Sequence, residues 1–180
     1  MKMRWSFWAV IVSAGLVGSG CFTYDAPDVT THYDQFSGLR TDLLEDNLLD
    51  TGSEPRELLW LNASRVFNSS TEYVYYLEVT YMAREGVGYL GISPGESLVL
   101  KLDEETLPLR GTGSMNTSKE LKDGLVQETS IYKVSKLVLQ KISVAQAVEV
   151  QVKGRNGLVE RKFTPDNFDK FRRFVTRYAL

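Results

Sequence analysis

Alternating apolar and polar residues mark the middle of the chain. Over Glu72–Met82, tyrosine, leucine and valine side chains fall on one face and the intervening residues on the other, which is the period of a half-buried strand. The Asn-Ser-Ser turn before it makes Leu58–Phe67 the expected hairpin partner. Two short strands, Tyr89–Ile92 and Ser97–Leu102, are expected to pair across a Ser-Pro-Gly turn, and Leu125–Tyr132 returns to strand character.

The last third of the chain contains two stretches in which the pattern predicts a helix. Apolar residues three and four positions apart predict a helix over 135–145. The Asn-Gly pair at 156–157 indicates a hairpin between the strands on either side, and Thr-Pro-Asp at 164–166 begins a second helix. We therefore predict an α+β fold with a mostly antiparallel sheet of about six to eight strands and two helices late in the chain, preceded by an N-terminal tether.

The first residues have the layout of a secretory signal peptide. Two basic residues are followed by the apolar stretch Trp5–Val17, and small residues precede Cys21. That stretch is shorter than the ~20 apolar residues that span a bilayer. Cleavage is therefore expected between Gly20 and Cys21.

The order small-small-cysteine after an apolar stretch resembles the lipobox of bacterial lipoproteins, with Gly18 where leucine is commonest. The resemblance implies a diacylglyceryl group on the Cys21 sulfur and an acyl chain, such as palmitate, on the new amine. Two or three acyl chains hold a protein firmly on a membrane. An ordinary cleaved signal and an uncleaved anchor are the alternatives. Phe22, where enterobacterial lipoproteins that stay at the inner membrane carry aspartate, favours the outer membrane.

An acidic segment follows the signal. Nine acidic residues and only two basic ones occupy 22–57, and the leucines at 39–49 follow neither a helical nor a strand period. We assign residues 1–20 to the signal peptide, 21–56 to the lipidated N-terminus and acidic tether, and 57–180 to a single α+β domain.

The composition of the chain excludes several classes of function and site. The 180 residues carry 43% hydrophobic and 24% charged side chains, typical of a folded globular protein, and a net charge of −2 gives no basic field for nucleic acid. One cysteine and one histidine exclude a disulfide framework and a zinc site of the Cys/His type.

Catalytic motifs are not found in the sequence. The single histidine, His32, lies in the acidic segment with no nucleophile motif, and no phosphate-binding glycine motif occurs. The acids Asp42, Glu45, Asp46 and Asp50 lack a calcium-loop pattern and are interpreted as a solvated acidic surface. The sequence thus indicates no enzyme, no cofactor and no metal site.

Two features indicate binding surfaces. Tyrosines cluster at 73–81, and Tyr76, on the face opposite the others, is the best candidate for a role outside the core. Lys153–Arg177 holds eight basic residues and three acidic ones, and Arg172, Arg173 and Arg177 are candidates for contact with a partner or with anionic headgroups. Pairing of these cations with the acidic segment is the alternative.

The C-terminal part, from Tyr132 through Val148, Val150, Val152 and Gly154 to Phe171, resembles the ending of uncharacterised bacterial envelope lipoproteins. The resemblance rests on core and turn residues, so it implies a shared fold and no activity.

The expected function is that of a lipid-anchored bacterial envelope protein, a non-catalytic binding or structural module. Its expected location is the membrane, with the periplasmic face of the outer membrane favoured in a Gram-negative host, and another envelope protein is a possible partner. A small hydrophobic solute- or lipid-binding module and a carboxylate-dependent envelope hydrolase are the alternatives.

Overall fold

The computed structural model describes residues 29–52, 56–67, 72–84 and 86–180. Within these ranges ten strands form one antiparallel sheet, and two α-helices follow late in the chain. The mostly antiparallel sheet and the late helices are confirmed, whereas the expectation of about six to eight strands was too low. The signal peptide, Gly20 and Cys21 lie outside the described residues.

The elements have the following bounds. The strands are β1 (Val29–Asp34), β2 (Leu39–Leu44), β3 (Glu57–Phe67), β4 (Tyr73–Arg84), β5 (Gly95–Leu102), β6 (Glu105–Gly111), β7 (Lys119–Glu120), β8 (Leu125–Val134), β9 (Val148–Gly154) and β10 (Gly157–Lys162), and the helices are α1 (Lys136–Val144) and α2 (Pro165–Tyr178). The strand order in the sheet is β1-β2-β3-β4-β8-β6-β5-β9-β10, with β7 alongside β8.

The additional strands β1 and β2 come from residues that the sequence analysis assigned to the tether. After β2, residues 47–50 continue along β3, where the Leu49 amide donates to the Leu59 carbonyl at 2.9 Å. Asp46 between them has a positive φ of 53°, which interrupts the alternation of side chains. This interruption explains why the leucines of 39–49 follow no single period.

The sheet curls until its last strand approaches β3 again. The Asp50 amide donates to the Lys162 carbonyl of β10 at 3.0 Å, and the Arg161 guanidinium donates to the Glu57 carbonyl of β3 at 3.1 Å. The inner face of the curl is apolar and includes the fully buried Leu77 of β4.

Both helices begin where the sequence predicts. Thr164 and Asn167 form a capping box at the start of α2. The Asn167 amide also donates to the Asn47 side chain at 2.9 Å, which ties α2 to the segment beside β3. Ser135 precedes α1 but makes no side-chain capping bond.

One predicted strand pair is wrong. Tyr89–Ile92 forms no strand, and Ile92 makes a single bridge to Gly154. Ser97–Leu102 lies in β5, which pairs with β6 and β9 instead. A tight turn at Asp103, with a φ of 53°, returns the chain directly into β6 and so determines the pairing.

The long strands give the sheet two distinct ends. The hairpin end comprises the β1–β2 turn (residues 35–38), Phe67, Tyr73 and Val134. The loop end comprises the segments 88–94, 112–118 and 154–157, near the other termini of β4 and β8. From Tyr73 at the hairpin end to Tyr81, which pairs with Glu128 of β8 at the loop end, β4 rises by about 26 Å, given about 3.3 Å per residue.

Candidate functional site

A buried carboxylate organises the loop end. On β8, Val126, Glu128, Ser130 and Tyr132 face the inside of the sheet in alternation, and Glu128 is fully buried. Burying a carboxylate costs several kcal/mol unless hydrogen bonds compensate for the lost water. The hydrogen bonds of the Glu128 carboxylate must therefore compensate for its lost hydration.

The Glu128 carboxylate accepts hydrogen bonds from both neighbouring loops. One oxygen receives the Ile92 amide at 3.0 Å and the Ser114 hydroxyl at 2.5 Å. The Gly91 amide lies 2.9 and 3.0 Å from the two oxygens. A single side chain thus joins segment 88–94 to segment 112–118, and its charge strengthens each bond.

Further bonds tie the third loop to the first. The Asn156 side-chain amide donates to the Tyr89 carbonyl at 2.7 Å, and the Arg155 amide donates to the Gly91 carbonyl at 2.9 Å. A Cβ at Gly154 would overlap the Leu90 carbonyl, so only glycine permits this approach. The three segments consequently form one cross-linked rim.

The rim surrounds a surface depression of about 470 Å³. Tyr89, Met115 and Arg155 border it, and Met115 is 81% exposed. Tyrosine, methionine and arginine are enriched at protein interfaces because they combine contact area with polar groups or adaptable shape. The depression therefore has the composition of a recognition surface held by a rigid frame.

Tyr81 of β4 connects the loop end to β3. The Tyr81 hydroxyl donates to Glu57 at 3.0 Å, the Gly88 carbonyl oxygen lies 3.3 Å from the same hydroxyl, and Arg161 lies 3.6 Å from the Glu57 carboxylate. Burial, followed by the hydrogen bond and charge of Glu57, raises the pKa of Tyr81 well above its ordinary value. Tyr81 is therefore a protonated donor that links β4 with β3 and segment 88–94.

The structure separates the sequence-predicted binding residues. Tyr76 is half-buried on the outer face of β4, opposite Ser64 and Lys133. Tyr75 next to it points the other way, and its hydroxyl donates to the Tyr178 carbonyl at the end of α2. Tyr76 and helix α2 thus lie on opposite faces of the sheet.

The predicted arginines lie together on α2. Arg172, Arg173 and Arg177 are exposed. The Arg172 guanidinium donates to the Ser143 carbonyl at 3.2 Å, which connects α2 to the last turn of α1. The Arg177 guanidinium lies 5.3 Å from the centre of the Tyr178 ring. These contacts hold the side chains of Arg172 and Arg177 against the surface of the two helices.

The acidic segment is less solvated than its composition indicates. Asp42 is buried and accepts hydrogen bonds from Thr31 and Arg65, both at 2.7 Å. Burial by itself would raise the pKa of Asp42, but the hydrogen bonds from Thr31, Arg65 and Arg40 outweigh it and leave the pKa below its ordinary value. His32 is exposed on β1.

Sequence reasoning missed Glu128. Its signal is an acidic residue in an inward position of an alternating strand, between Val126 and Tyr132. Such a position predicts a buried, hydrogen-bonded carboxylate. Its partners in segments 88–94 and 112–118 carry no local pattern that would identify them.

Comparison with models of protein families, with curated proteins and with solved structures found no match to this chain. In the ranges that the structure describes, no three histidine, cysteine, aspartate or glutamate side chains are grouped so that they could hold a metal ion. None of the described helices has the length and apolar character needed to cross a bilayer.

Proposed function

We propose that this chain is a lipid-anchored bacterial envelope protein that acts as a non-catalytic binding module. The anchor is Cys21, after cleavage behind Gly20, and the partner is another envelope protein that docks on the loop end. The proposed location is the membrane, on the periplasmic face of the outer membrane in a Gram-negative host. The lipobox-like signal supports the anchor.

The rigid rim around the depression at the loop end carries the binding part of this proposal. Three loop segments are fixed to one another through Glu128, Asn156 and the backbone of 90–92. Loops that are held in one conformation lose little entropy when a partner binds.

The position of Met115 makes the proposal testable. A photoreactive amino acid at position 115, in the full chain expressed in bacteria, is expected to cross-link to one envelope protein. The same substitution at Val144, which is 77% exposed on α1, is the matched control and is expected to give no such product. Identical cross-links from both positions, or none from position 115, contradict docking at the loop end.

A second variant tests affinity directly. Met115→Glu adds a charge to the rim without altering the bonds to Glu128 and is expected to abolish recovery of the cross-linked protein in a pull-down. Val144→Glu is expected to leave recovery unchanged. The two alternatives from the sequence, a hydrophobic solute- or lipid-binding module and a carboxylate-dependent hydrolase, stay predictions.

A further inference from the structure

We propose that the hairpin end of the sheet rests on the membrane surface, with Phe36 and Tyr33 inserted among the lipid headgroups. The inference rests on the proposed lipid anchor at Cys21 and goes further, because it assigns a second, non-covalent membrane contact and one orientation of the domain.

The β1–β2 hairpin exposes two aromatic side chains, Tyr33 near the end of β1 and Phe36 in the turn. Phe36 is 93% exposed and Tyr33 is 69% exposed. The Asp34 carboxylate accepts hydrogen bonds from the Phe36 amide at 2.9 Å and from the Ser37 hydroxyl at 2.5 Å. These bonds hold the turn in one conformation, so Phe36 projects from a closed turn. Aromatic side chains favour the interface between water and the acyl chains.

Other apolar side chains are exposed on the same end. Helix α1 begins two residues after β8 ends there, and its Leu137 is 59% exposed. The end of α2 lies there too, because Arg65 and Tyr75 both donate to the Tyr178 carbonyl. Leu180, two residues further on, is 76% exposed. The apolar contact surface is therefore wider than the hairpin turn alone.

Cations accompany these apolar side chains. Lys133, Lys136 and Arg177 are exposed near the ends of β8 and α2, and Asp34, which closes the turn, and Glu72 lie at the same end. Basic side chains beside an anionic membrane surface are attracted to it within a Debye length. Charge and apolar exposure thus both favour a bilayer with anionic lipids as the occupant.

The length of chain before β1 permits this orientation. Seven residues lie between Cys21 and Val29, which gives eight residue steps. Fully extended, they reach at most about 28 Å. From Val29 to the end of β1 the strand covers about 17 Å at about 3.3 Å per residue. The acylated cysteine can therefore lie level with the hairpin turn, so that lipid and Phe36 occupy the same membrane surface.

The single cysteine provides a direct test. Lipidation blocks the Cys21 sulfur, so a maleimide dye whose fluorescence rises in apolar surroundings labels only an added cysteine. The experiment uses the full chain, purified and reconstituted in vesicles that contain anionic lipid, with Phe36→Cys as the test and Met115→Cys at the loop end as the matched control. Unsubstituted protein is expected to take up no dye, and its intact mass reports the acyl groups.

The expected result is a several-fold rise in fluorescence at position 36 on reconstitution and no rise at position 115. The rise is expected to be smaller in vesicles of zwitterionic lipid alone, because the cations then have no anionic partner. A protein whose mass shows the acyl groups but which gives no rise at position 36, or a rise at position 115, overturns this inference and leaves the anchor intact. Equal responses in both kinds of vesicle overturn the role of the cations. A mass without acyl groups overturns the proposed anchor and this inference with it.

Discussion

Replacement of Glu128 is the most informative perturbation of the loop end. The variant Glu128→Ala removes the acceptor for the amides of Gly91 and Ile92 and for the Ser114 hydroxyl. The carboxylate that they share is fully buried, so its removal leaves these donors without their acceptor in the native arrangement. Segments 88–94 and 112–118 must then either keep unsatisfied donors or move apart.

The magnitude follows from two opposing contributions. Hydrogen bonds to a charged group contribute about 1.5 to 3 kcal/mol each, so three of them amount to about 5 to 9 kcal/mol. Removing the carboxylate also removes its desolvation cost of several kcal/mol. We therefore expect Glu128→Ala to lower the free energy of unfolding by about 2 to 4 kcal/mol.

Urea denaturation measures this loss as a lower midpoint at unchanged slope. Amide hydrogen exchange at Gly91 and Ile92 is expected to accelerate more than exchange in β4, because the loops lose their shared acceptor. Glu78→Ala is the matched control, since Glu78 is half-buried on the outer face and accepts a long 3.5 Å contact from Thr80. A loss no larger than in that control, with unchanged exchange at both amides, would refute the role given to Glu128.

Three further predictions concern the anchor, the packing and the acid stability. Cys21→Ser is expected to wash off membranes and to incorporate no labelled palmitate; protein that still sediments at its cleaved size contradicts the anchor. Gly111→Ala places a Cβ against the Tyr132 ring and is expected to lower the free energy of unfolding by about 1 to 3 kcal/mol, measured by thermal unfolding. Gly86→Ala, in open space, is the control, and an equal loss of stability in both variants would contradict the packing of Gly111 against Tyr132. The pKa of Asp42 is below its ordinary value in the folded chain. The ionised carboxylate therefore stabilises the fold above the pKa of the unfolded chain, about 3.9, and this contribution is lost as the pH falls through the pKa of the folded chain. Asp42→Asn is therefore expected to be less stable at pH 7 and to approach the unsubstituted protein at low pH in urea titrations; a difference independent of pH contradicts this.

Local patterns predicted the elements whose period is uninterrupted. The alternation over Glu72–Met82 matches β4, and the Asn-Gly turn joins β9 to β10 in register, with Gly154 opposite Gly157. The start of α2 was predictable because Thr164 and Asn167 cap the helix with neighbouring atoms alone. In each case the residues that determine the structure lie next to one another in the chain.

Elements that depend on distant partners were not predictable in this way. Residues 29–50 contain β1, β2 and a further segment, separated at Asp46 by a backbone conformation that few side chains favour. Their many acids indicated a solvated tether, yet Asp42 is buried because Arg65, 23 positions away, neutralises it. Composition records the charge of a segment, whereas its burial depends on the strand beside it.

The continuity of the sheet makes the two proposals constrain each other. Phe36 and the Glu128 rim occupy opposite ends of one continuous sheet, because β3, β4 and β8 run between them in register. If the hairpin end rests on the bilayer, the rim projects about 26 Å from the membrane surface, the rise of β4 from Tyr73 to Tyr81, which pairs with Glu128, at about 3.3 Å per residue. A partner that docks on Met115 can then be reached without contact with lipid. If instead the fluorescent probe reports the loop end at the membrane, the rim is covered by headgroups, and docking of an envelope protein on it is no longer possible.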